Sequence, residues 1–127
     1  MNLGELFENG KIHTEGNAVQ TISIEYIAHK SFNGVYLKYL VRGEQTKNQL
    51  SCHLVKVDPN CVLDEHVHPD HLEIHKVIAG NGTFQMAGKQ AEYVAGTVGV
   101  IPENTTHKVT AGKDGVYILA TFSPALL

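Results

Sequence analysis

From about residue 20 onward the chain breaks into short runs rich in Val, Ile, Thr, Tyr and Phe, each closed off by Gly, Pro, Asn or Asp. Runs of that length and composition fit a pleated, half-buried surface, and the residues that close them tolerate tight or left-handed turns. Asn33-Gly34, Asp58-Pro59-Asn60, Gly80-Asn81-Gly82, Ala87-Gly88-Lys89 and Lys113-Asp114-Gly115 supply those turns. Strands are predicted near residues 20–27, 35–41, 50–57, 73–79, 83–87, 90–94, 97–101, 106–110 and 116–122. No longer segment places apolar side chains at helical spacing; Leu3, Leu6 and Phe7 offer at most one short turn within an otherwise irregular stretch, residues 1–20. The predicted fold is therefore all-β, a sandwich or a jelly-roll barrel closing on its own core.

Such a core needs apolar residues to fill it, and with 43% hydrophobic against 18% charged residues the chain is too apolar to be disordered. Its 127 residues suit one domain, and no biased linker or internal repeat marks a boundary, so residues 1–127 are read as a single domain. The net charge is -3, and no run of Lys or Arg is dense enough to follow a line of phosphates, so nucleic acid is not an expected partner. The acidic N-terminal segment has no apolar signal region, and no stretch approaches the roughly 18 apolar residues of a membrane helix. A cytoplasmic protein without a membrane partner is expected. Cys52 and Cys61 lack CxxC spacing and read as buried or half-buried free thiols.

Histidine is the unusual residue: eight occur, and His66, His68, His71 and His75 fall within residues 66–75. In an extended strand alternate side chains share a face, so the imidazoles of His66 and His68 are predicted to project together. Glu73 follows a turn at Pro69-Asp70 that can lay the next strand against the first, bringing a carboxylate to the same point. His107, just past Pro102-Glu103-Asn104, is the candidate for a third imidazole delivered by closure of the sheet. Three imidazoles and one carboxylate suit one divalent transition metal ion (Fe, Mn, Ni, Zn, Co or Cu) and do not suit Ca or Mg, which prefer oxygen shells. An octahedral ion held this way keeps two positions open for a substrate or O₂.

Residues 66–80, HVHPDHLEIHKVIAG, carry the pattern HxH, four residues, Glu, six residues, Gly; residues 96–107, GTVGVIPENTTH, carry Gly, five residues, Pro, and His five positions after the Pro. These resemble the first and second motifs of the cupin superfamily, and the fifteen residues between Gly80 and Gly96 resemble the short spacing of its small single-domain members. The resemblance spans roughly residues 50–124, with the motifs in 60–111. It implies a cupin double-stranded β-helix, or jelly-roll barrel, with His66, His68, Glu73 and His107 as the metal ligands. Three positions depart from the family pattern: Asn60 and Asn104 stand where it has Gly, and Ala111 where the second motif ends in Asn. Asn is the best non-Gly occupant of left-handed backbone, so the first two need not disturb the turns.

If Glu73 points inward, His75, Val77 and Ala79 share its face, which makes His75 either a proton-transfer residue or an interior hydrogen-bonding group. His53, Val55 and Val57 are expected to face inward beside them. His71 is expected to be solvated in its turn, His13 and His29 carry no signal, and the tyrosines read as core or rim aromatics. The resemblance implies a metal-dependent enzyme acting on a small organic metabolite, a dioxygenase or an isomerase or lyase, with His75 in the catalytic role. The alternative from a different class is a non-catalytic domain that binds or senses a small ligand. A homodimer is expected through the outer strands near 20–27 and 35–41, because pairing removes an exposed sheet edge.

Overall fold

Residues 51–57, SCHLVKV, alternate most clearly, with Ser51, His53, Val55 and Val57 on one buried face. In the computed structural model, which describes residues 1–127, this segment is β5 (Ser51–Val57), a central strand of an eight-stranded antiparallel sheet. The other elements are α1 (Leu3–Glu8), β1 (Lys11–Thr14), β2 (Asn17–Gln20), β3 (Ile27–Ala28), β4 (Val35–Val41), β6 (Val62–His66), β7 (Leu72–Met86), β8 (Lys89–Val94), β9 (Val98–Ile101) and β10 (His107–Ser123). The path β3-β4-β5-β10-β7-β8 is completed by β6 on β10 and by β9 on β7, while β1 and β2 form a separate hairpin. The fold is all-β, as predicted, and it is a jelly roll.

Two long strands make the roll. The first part of β10, His107–Ala111, lies between β6 and the far end of β7, whereas Val116–Phe122 lies between β5 and the near end of β7. Each strand therefore belongs to both sheets, and the register shifts between Ala111 and Val116 where they turn the corner. Gly80 and Gly115 sit there in left-handed backbone (φ 81° and 73°), and a Cβ on Gly80 would come 2.1 Å from the Gly115 carbonyl oxygen. No other residue fits that crossing. Between the sheets Val35, Val57, Val77, Tyr93, Ile101, Val109 and Ile118 form the buried core.

A second apolar layer, Leu40, Leu54 and Ile78 with Ile12 and Leu119 against it, lies on the opposite face of the sheet. Here the prediction of an irregular stretch over residues 1–20 is corrected. Asn2 and Glu5 form a capping box that starts α1, and β1 pairs with β2 in full register. Glu8 accepts hydrogen bonds from the Tyr26 and Tyr117 hydroxyls at 2.7 and 3.3 Å, which ties the helix to strand β10. The strand predicted over 20–27 is instead a 3₁₀ turn at Thr21–Ser23 followed by the two-residue β3. The strand expected at His66 and His68 ends at His66 and begins earlier, as β6, and the pairs 73–79 with 83–87 and 106–110 with 116–122 are single strands. No helix is long and apolar enough to cross a membrane.

Candidate metal centre

Three strands and the turn after one of them gather four side chains. His66 ends β6, Glu73 is the second residue of β7, and His107 opens β10 directly opposite His66. His68 lies beyond the end of β6, so strand alternation does not place it as predicted. The turn that follows does: Asp70 is left-handed (φ 64°), and Asn104, also left-handed (φ 62°), donates its N–H to the His68 carbonyl at 3.4 Å. The ligand atoms of His66, His68, Glu73 and His107 all fall within 4.8 Å of one another, a cluster that could hold a metal ion.

Tautomers follow from the partners. His66 Nδ1 lies 2.7 Å from the Asp64 carbonyl and His107 Nδ1 lies 3.0 Å from the Thr105 carbonyl. A carbonyl only accepts, so both Nδ1 atoms carry the proton, and in the neutral ring, the form that binds a metal, Nε2 presents the lone pair. His107 Nε2 then faces Glu73 Oε1 at 3.1 Å, and neither atom has a hydrogen-bond partner although both are buried. Two such atoms held that close in a buried site without a hydrogen bond are placed to share a cation, and the donor set fits a transition metal. Burial opposes the Glu73 carboxylate, yet the hydrogen bond from His75 and the imidazoles around it hold it well below the usual carboxylate range. Burial also lowers His66 to about 4 and pushes His68 down, which keeps both imidazoles neutral, as ligands must be.

The other oxygen of Glu73 is taken by His75. Its Nε2 donates to Glu73 Oε2 at 2.7 Å, which leaves Nδ1 to accept from the Tyr93 hydroxyl at 2.9 Å. Gly99, opposite His75 on β9, makes room for this: a Cβ there would lie 2.1 Å from the Tyr93 hydroxyl. Tyr93 is thus the phenol that reaches the site, and the sequence held no signal that singled it out.

A cavity of about 100 Å³ lies beside the cluster, walled by Leu37, Val55, Ile118, Ala120 and Phe122, with His53 and His75 among its polar groups. His53 and His75 flank Ala120 across the sheet, each paired with it in register. His29, unmarked in the sequence, also reaches the wall and stacks on Phe32 with centroids 4.6 Å apart. Leu126 completes the wall, on a tail held by its N–H on Ser51 Oγ at 2.9 Å. His71, expected to be solvated, donates from Nδ1 to the Pro124 carbonyl at 2.9 Å and so helps seat this tail.

Residues 53–122 match the cupin domain family. The chain belongs to the cupin family. Among solved structures it is similar to a predicted oxalate decarboxylase from Thermotoga maritima, with 24% identity, TM-score 0.75, and coverage of 84% of this chain and 97% of that one. It is also similar to KdgF from Halomonas sp. (23% identity, TM-score 0.70, 79% and 87% covered) and to a cupin-like protein from Thermotoga maritima (28%, 0.65, 76% and 74%). No curated protein matches the chain. Two of the departures from the cupin motifs, Asn60 and Asn104, are both left-handed at φ 62°, so Asn does there what Gly does elsewhere.

Proposed function

We propose that this cupin is a metal-dependent enzyme acting on a small organic metabolite, with His66, His68, Glu73 and His107 holding one divalent transition metal ion. The observation that carries this reading is the pair of facing acceptors, His107 Nε2 and Glu73 Oε1, 3.1 Å apart and without hydrogen-bond partners. Such an ion supplies Lewis-acid polarisation or a site for O₂. The chain contributes the rest: a partly apolar wall, and the series Tyr93, His75, Glu73, in which a proton gained or lost at Glu73 Oε2 has a hydrogen-bonded route to a phenol. That relay favours an enzyme over a binding or sensing module, and it is the role proposed for His75. The cavity, about 100 Å³, is well below the roughly 300–1,000 Å³ of drug-sized sites and favours small substrates. The predicted oxalate decarboxylase among the similar structures recommends small carboxylic acids as the first to screen, for turnover and for O₂ uptake.

Elemental analysis tests the site directly. Purified protein is expected to carry about one transition-metal ion per chain, and His68→Ala and His107→Ala to lose most of it while keeping the fold by circular dichroism, because one of four ligands leaves a rigid scaffold. Full metal content in the double variant would sink the assignment.

A further inference from the structure

The metal cluster accounts for two of the buried polar atoms that lack a partner in the protein, Glu73 Oε1 and His107 Nε2; it does not account for a third, His53 Nε2. His53 lies outside the cluster yet lines the same cavity. Its ring is fixed by packing alone, edge-on to Tyr39 with centroids 4.8 Å apart and tilted against Phe122 at 5.2 Å. An imidazole in such a place costs desolvation and gains no hydrogen bond, so an apolar residue of similar size would be the more stable choice. Burial lowers its pKa to about 4, so it is a neutral ring with hydrogen-bonding capacity to spare. Ala120 stands between His53 and His75 in the sheet, and all three line the cavity, so no large side chain on that strand separates the two histidines.

We infer that His53 is a specificity-determining residue that hydrogen-bonds the far end of a bifunctional ligand, a short hydroxy acid or comparable oxygenated molecule whose other end sits at the metal cluster. The inference rests on the metal-site reading above and adds the substrate class. Val55, Ile118, Phe122 and Leu126 wall the cavity and match a short carbon chain, for which about 100 Å³, roughly three waters' share of liquid volume, is a suitable size.

The test uses cobalt(II)-loaded protein, titrated by visible absorption with azide, which reaches only the ion, and with glycolate, 3-hydroxybutyrate and 4-hydroxybutyrate, which carry a second polar group at increasing reach. The expected result is that His53→Leu weakens the tightest hydroxy acid by roughly 5- to 100-fold and leaves azide within about twofold. His53→Gln, which keeps a hydrogen-bonding group, is expected to recover part of the loss. In the melting curve His53→Leu should be no less stable than wild type, since no protein hydrogen bond is removed; a lower melting temperature would give His53 a structural role and overturn the inference. So would equal weakening of azide and hydroxy acid, unchanged binding of both, or hydroxy acids that bind no better than azide to the wild type. Failure of the wild type to retain cobalt at all is a distinct outcome, which removes the metal-site reading and this inference with it.

Discussion

Single residues in this site are held by partners that can be removed one at a time. His75→Gln takes away hydrogen bonds to Glu73 Oε2 and Tyr93, both buried, and is expected to cost about 1–3 kcal/mol of stability while metal content stays near normal. Tyr93→Phe removes only the second of these and should cost less; melting curves and elemental analysis on the two variants decide it. Loss of metal in His75→Gln would make it a ligand. If His75 also moves protons, its replacement lowers turnover by ~10²- to 10⁴-fold, far more than the stability change explains. A different readout belongs to His53. Its pKa when folded is about 4, below its unfolded value of 6.5, so from pH 6.5 downward the unfolded chain takes up a proton that the folded chain refuses. Above pH 6.5 His53 is neutral in both states and adds no pH-dependent penalty, and stability falls as the pH drops from 6.5 towards 4; His66, shifted in the same way, adds to the slope. Metal-free His53→Leu should therefore show a shallower acid limb in denaturant titrations run from pH 7 to pH 4.

At the scale of elements, the corner where β7 and β10 pass from one sheet to the other rests on Gly80. Gly80→Ala puts a methyl group against the Gly115 carbonyl in backbone that disfavours any side chain, and is expected to cost more than about 3 kcal/mol or prevent folding, as judged by yield and melting temperature. The sequence announced the glycines as turns, and for that reason cut β7 and β10 in two: a bulge that bends a strand and a turn that ends one use the same residues. The spacing in HxH, Glu and the distant His named the right four residues to cluster, because the motif records which side chains face one point after closure. What it did not show was how His68 gets there, through the left-handed Asp70 and Asn104, or that Tyr93 backs His75, since that contact depends on the absence of a side chain at Gly99. The N-terminal helix was nearly invisible because six residues are too few to display a helical period.

For the whole molecule, one free edge of the sheet is β3, only two residues long, with Ile27 exposed on it and Ile22 exposed in the turn before it. A homodimer is expected to form through this edge, by contact of apolar side chains more than by a continued ladder. Light scattering at micromolar concentration should give twice the chain mass, and Ile27→Glu should return the monomer; a monomeric wild type would contradict the expectation. The pairing of β10 with β5, β6 and β7 has a further consequence, for the route by which the barrel forms. Three strands made earlier must wait for one made after them, and residue 66 can meet residue 107 only once β10 has been laid against β6. With most pairings this distant along the chain, refolding is expected to be slow for a chain of this size, in milliseconds to seconds, and cooperative. During synthesis the edges of β5, β6 and β7 that β10 covers stand unpaired, so the window in which the nascent chain is exposed to aggregation lasts until β10 has left the ribosome.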